Sequence, residues 1–178
     1  MMQVYRCIIV ILLTVLISFS SIGQYKKQSE FFDKFYVGGG GGLGGGTDYL
    51  NISVSPLIGY KFTEQFSAGL ITSYQYVKFG NASFSNFGGG PFARYNVTEK
   101  FFAYTEYEHL NFALSPQGGN QERRGYNSLF AGIGYTEPIG DIMSFNISAL
   151  YNVFYGDGVN SPYSSPLLFR VGLVAGLF

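Results

Sequence analysis

The chain has 178 residues, enough for one domain once a leader is set aside, and only 12% of them are charged. That is about half the usual share for a water-soluble domain. Aromatic residues reach 19% without a Trp, Gly is abundant at 25 residues, and the formal net charge is zero, so nothing draws the chain toward nucleic acid.

The first 23 residues have the layout of a secretory signal peptide. Arg6 supplies a positive start, residues 7–19 form a 13-residue apolar run, and Ser21 and Gly23 put small residues before Gln24. The run is short for a membrane-spanning helix. Cleavage after Gly23 would remove Cys7, the one cysteine, and with it any disulfide, thiol nucleophile or cysteine metal site. Residues 24–33 (QYKKQSEFFD) read as a short polar lead-in on the periplasmic side, and 34–178 as the folded domain.

From there the pattern has period 2, which is strand rather than helix. Residues 35–43 (FYVGGGGGL) form the first strand. Their glycines do not make a phosphate loop, because no helix start follows them. In 50–62, Leu50, Ile52, Val54, Ile58, Tyr60 and Phe62 share one parity, and Pro56 should interrupt local pairing. A tight turn at Thr63-Glu64-Gln65 leads to Phe66, Ala68, Leu70, Thr72, Tyr74 and Tyr76 on one face, with Ile71 out of step. After a polar connection at 80–86, Phe87, Ala93 and Tyr95 oppose Phe92, Arg94 and Asn96. Thr98-Glu99-Lys100 turns the chain into Phe101, Ala103, Thr105, Tyr107 and His109, against Tyr104, Glu106 and Glu108. Residues 115–125 (SPQGGNQERRG) read as the longest hydrophilic loop. Leu129, Ala131, Ile133 and Tyr135 form the sixth strand, and a turn at 138–141 opens the seventh (Phe145, Ile147, Ala149, Tyr151, Val153). After a Gly/Asn/Ser/Pro loop at 155–165, residues 167–178 (LLFRVGLVAGLF) complete eight strands, with Phe169, Val171, Leu173, Ala175 and Leu177 in one apolar row.

Tyr60-Lys61-Phe62-Thr63-Glu64-Gln65-Phe66 and Tyr95-Asn96-Val97-Thr98-Glu99-Lys100-Phe101 share a turn signature, with Tyr135-Thr136-Glu137 a looser third copy. Short turns follow strands two, four and six, and longer polar loops should follow the odd strands, the asymmetry of an outer-membrane barrel with both termini periplasmic. The expected fold is therefore all-β: a closed, eight-stranded, antiparallel up-and-down transmembrane barrel.

The sign of the barrel decides against a soluble alternative such as a lipocalin-like fold. On the apolar parity the expected strands hold no Asp, Glu or Arg, only Lys78 and His109 near loop ends. The opposite parity holds Lys61, Arg94, Glu106, Glu108 and Arg170. A charge facing lipid at mid-bilayer costs roughly 2–4 kcal/mol, which accounts for its absence there. Arg94, Glu106, Glu108 and Arg170 should thus form a polar network plugging the lumen, since eight strands leave room only for side chains. Tyr60, Phe66, Tyr95, Phe101 and Tyr135 at the turns, and Tyr76, Tyr107 and Tyr151 toward the loops, read as two aromatic girdles.

With its leader, eight alternating strands, repeated Tyr-x-x-Thr-Glu-x-Phe turns and terminal Phe178, the chain resembles the small outer-membrane β-barrel family common in Bacteroidetes, related in architecture to the OmpA and OmpX barrels. The resemblance implies that Phe178 is read by the barrel-assembly machinery, and it supplies no catalytic set. His109 is followed by Leu110 and Asn111 and so lacks the His-x-Ser arrangement of lipid A deacylases. No cofactor or metal is expected. The expectation is a monomeric barrel in the outer membrane of a Gram-negative bacterium, with a structural or surface-interaction role. Its partners would be outer-membrane lipids, and loops 115–125 and 155–165 are candidate surfaces for an extracellular ligand. A narrow channel and a lipid A-modifying enzyme are the alternatives.

Overall fold

The computed structural model describes residues 34–46, 49–80, 82–114, 122–156, 162–163 and 165–177. The leader, the lead-in and Phe178 fall outside them. Eight strands follow in order: β1 (Phe35–Gly46), β2 (Tyr49–Lys61), β3 (Phe66–Phe79), β4 (Ala82–Asn96), β5 (Phe101–Leu114), β6 (Glu122–Ile139), β7 (Met143–Asn152) and β8 (Leu167–Ala175). Each pairs antiparallel with its sequence neighbour, and β1 closes on β8. The fold is a closed eight-stranded antiparallel barrel.

Register is what gives the barrel two distinct walls. Every ladder keeps one register from end to end, so no side chain changes face between neighbouring strands. One set, including Tyr36, Ile71, Phe92, Glu106, Phe130, Leu150 and Val174, is buried inside. The other set faces out: Leu70, Ile133 and Phe169 keep 60%, 68% and 71% of their surface exposed. Ile71, out of step in the apolar row, is an inward core residue at 2%. Pairing of β2 with β3 passes from Val54–Tyr74 to Leu57–Ile71 around Pro56, and pairing of β4 with β5 is interrupted likewise around Pro91. Proline has no N–H to contribute to a ladder.

The repeated turn has a local cause. The Thr63 hydroxyl accepts the backbone N–H groups of Gln65 (3.3 Å) and Phe66 (2.8 Å), while the N–H groups of Phe62 and Thr63 both reach the Phe66 carbonyl. Thr98 does the same for Lys100 (3.2 Å) and Phe101 (2.9 Å). Threonine at this position makes a side chain–backbone turn. The looser third copy is not a turn: β6 runs on to Ile139, the chain reverses through Gly140 at φ 67°, and Thr136 lies buried in the lumen.

Two further expectations change. Strands are longer than their apolar cores suggest, so β4 starts at Ala82 and Arg123, Arg124 and Gly125 belong to β6. Only two residues separate β1 from β2, and two separate β3 from β4, so the longer connections follow β5 and β7 alone. At the far end Leu177 turns inward, 7% exposed and packed with Tyr36, Ile71, Phe92 and Val174. Gly176 sits at φ 82°, a left-handed conformation that ends the alternation after Ala175.

Candidate functional site

Inward glycines make room for rings. A Cβ on Gly59 would stand 2.1 Å from the Tyr36 ring, and one on Gly134 would stand 2.2 Å from the Phe102 ring. At the end where Leu177 lies, Tyr36, Phe92, Leu57 and Tyr104 close the lumen with apolar and aromatic groups, Phe92 stacking on Tyr104 at 5.6 Å. The Tyr36 hydroxyl shares a hydrogen bond with Ser67 (2.9 Å).

Above this plug stands an ion pair. Both Glu106 carboxylate oxygens accept from Arg170, at 2.5 and 3.1 Å, and the Tyr104 hydroxyl donates to the same carboxylate at 2.8 Å. Glu106 is 2% exposed, so its charge is compensated entirely within the protein. The other two expected members of the network go elsewhere. Glu108 accepts hydrogen bonds from the Ser73 hydroxyl (2.7 Å) and from Tyr163. Arg94 lies flat on the Phe102 ring, 3.7 Å from its centroid, and donates through Nε to Asn96 (2.9 Å). Its Nη2 has no hydrogen-bond partner among the described residues. All four residues therefore point inward, but they form one ion pair and two separate polar clusters.

The pair lies between two voids. A cavity of about 50 Å³ on the plug side is lined by Arg94, Phe102, Tyr104, Asn146 and Arg170, and one of about 150 Å³ beyond it by Ser53, Ser55, Ser73, Gln75 and Glu108. Tyr163, from the connection after β7, packs on Phe130 and Tyr126 at the mouth. Burial, and then the Glu108 carboxylate, push its phenol up, which keeps it a hydrogen donor to Glu108. The sequence put Tyr163 in the 155–165 loop as part of an external surface; its hydroxyl instead reaches Glu108 in the lumen, a placement that a tyrosine in a Gly/Ser/Pro stretch does not signal by periodicity.

The girdle residues lie on the outward parity. Tyr60 packs edge-on to Phe35 (5.0 Å) and Phe62 (5.1 Å), and Phe101 to Tyr135 (5.4 Å); Phe66 and Tyr95 are exposed beside them. Tyr76 and Tyr151 lie near the other ends of β3 and β7. Tyr107 instead sits in the middle of β5, because that strand continues to Leu114.

Lengthening β6 also puts two charges on the outward parity, one toward each end. Glu137 pairs with Lys100 of the turn (3.1 Å), both half exposed. The Glu137 contact raises the Lys100 pKa. Arg123 lies at the opposite end. Its guanidinium rests on the Phe87 ring at 4.8 Å and donates to Asn111 Oδ1 (2.9 Å) and the Ser85 carbonyl (3.1 Å). His109 Nδ1 is 2.6 Å from Asn127 Oδ1. Ser115, the first residue of the expected 115–125 loop, lies outside the described residues.

No family model matches the chain, and no curated protein matches it. Among solved structures it is similar to the N-terminal β-barrel domain of Pseudomonas aeruginosa OprF, at 12% identity and a TM-score of 0.53, over 79% of this chain and 95% of that one. At that identity the likeness concerns the fold.

Proposed function

We propose that the chain is an integral outer-membrane barrel with a structural or surface-interaction role, a lumen filled by side chains, and no catalysis. The observation that carries this reading is the reversal of polarity: aliphatic and aromatic groups cover the outside while Arg94, Glu106, Glu108 and Arg170 are held inside. In water such an exterior would be one large adhesive patch. Against hydrocarbon it is the stable arrangement, and closure of β1 on β8 pairs backbone that an open sheet would leave exposed there. The OprF barrel neighbour supports the same placement. A signal peptide over 1–23, periplasmic termini, a monomeric state and the Bacteroidetes-type family belong to this reading, the last resting on the Thr63 and Thr98 turns. Phe178 would be its assembly signal.

Membrane fractionation tests the reading: the protein should float with the outer membrane and migrate as a compact band on gels until boiled. Recovery in the soluble fraction would refute it. The two voids flanking Glu106 and Arg170 favour a narrow channel as a second reading. Planar bilayers separate the two, since a filled lumen stays silent and a channel gives resolved steps.

A further inference from the structure

Three of the outward-facing basic side chains gather toward one end of the barrel and on one side of it. Lys78 on β3, His109 on β5 and Arg123 on β6 share the outward parity, with β4 between them contributing Ser85 and Phe87. Arg123 lies at the Ala113 rung of β5, and its guanidinium reaches back across that strand to the Ser85 carbonyl. No carboxylate lies on the outward parity of this half of the wall among the described residues. Glu137, the outward acid of β6, is at the other end.

The group is built rather than scattered. Ser85 holds the Arg123 guanidinium through its carbonyl and the Tyr74 hydroxyl through its own (3.1 Å). Phe87 supports the guanidinium plane from below, and Asn111 fixes one edge. His109 lies over Gly125, where a Cβ would come within 2.9 Å of its Cε1, so glycine at that position makes room for the ring. His109 Nδ1 lies 2.6 Å from Asn127 Oδ1, and its other ring nitrogen lies over Gly125. Both acceptors on Arg123 are neutral. Among the described residues they use two of the five donors of a guanidinium, which leaves three for a ligand.

We infer that this wall binds the phosphate of a lipid headgroup, with Arg123 as the main anchor and His109 and Lys78 flanking it. The inference rests on the membrane reading above. A guanidinium held in place by neutral partners presents paired N–H groups that match a phosphate, and among the described residues no carboxylate pairs with it. A charge on the lipid-facing wall is tolerable near headgroups and costly at mid-bilayer, so Lys78 and Arg123, next to the ends of β3 and β6, fit a ligand that lies at that depth, with His109 further down the wall. The hydrophobic wall below would receive the acyl chains.

Native mass spectrometry of the full barrel in detergent tests this, with bisphosphorylated lipid A, its dephosphorylated form and phosphatidylcholine as probes. The phosphorylated lipid should be retained about ten-fold better than either of the others, a preference of roughly 1.4 kcal/mol. Arg123→Gln should abolish that preference, whereas Arg124→Gln, the same charge change on the opposite parity, should preserve it. Gly125→Ala, which displaces His109 without altering charge, should reduce it. Equal retention of all three lipids, retention of none, or equal loss in both arginine variants would overturn the inference. Compact, unboiled gel migration of each variant shows that the barrel has formed, so a failure of lipid selectivity is distinguishable from a failure of the membrane reading. If Arg123→Gln does not fold, the wild-type preference and the Gly125→Ala variant decide.

Discussion

Glu106 shows why a barrel of this size carries charge inside at all. An isolated buried carboxylate is costly, and Arg170 compensates it through two hydrogen bonds from the far side of the lumen. Removing one partner leaves the other charge buried without an equal. Glu106→Ala should therefore destabilise the barrel by about 3–5 kcal/mol, read as a lower urea midpoint for loss of the compact gel band. The double variant Glu106→Ala/Arg170→Met should lose less than the two single losses combined. Strict additivity would mean that the pair does not couple. That four charges point inward was legible from parity. Which of them pair was not, because Glu106 and Arg170 are 64 residues apart and meet only through closure and the depth each strand reaches. Arg94 could equally have been drawn into the pair. Phe102 and Asn96 hold it instead, and the room for that ring comes from Gly134.

Between residue and barrel, two threonines in similar sequence settings have opposite expected effects. Thr98 holds its turn through two backbone N–H groups, so Thr98→Ala should cost about 1 kcal/mol, seen as slower folding into detergent and a lower urea midpoint. Thr136, in the looser copy of the same signature, buries a hydroxyl with no partner among the described residues. Thr136→Val should be neutral or stabilising by up to about 1 kcal/mol. If the two substitutions behave alike, the turn assignment is wrong. The strands were readable because period 2 is strong wherever one wall is apolar. Their ends were not, since Ser83, Ser85, Arg123 and Glu137 have the composition of loops while lying in β4 and β6. Composition reports exposure to polar surroundings, and strand ends at a rim have that exposure too. The inward turn of Leu177 was likewise hidden, because it depends on the backbone angle of Gly176 and not on any side-chain pattern.

As a whole molecule the barrel has one weak seam. β1 pairs with β2 through twelve residue pairs but with β8 through four, from Val37–Ala175 to Gly40–Gly172. Backbone amides along that seam should exchange hydrogen faster than those of β5 and β6, whose ladder is fourteen pairs long. Uniform protection around the barrel would contradict this. The central claim, that the apolar wall faces lipid, has a direct test in single cysteines carrying a nitroxide, since Cys7 is the one native cysteine. Labels at Ile133 and Phe169 on the outward wall and at Ser148 inside are compared in vesicles by their collisions with oxygen, which concentrates in lipid, and with a water-soluble nickel chelate. Ile133 and Phe169 should collide freely with oxygen and be shielded from the chelate, while Ser148 should be shielded from oxygen. Ready access of the chelate to both outward labels would contradict that claim.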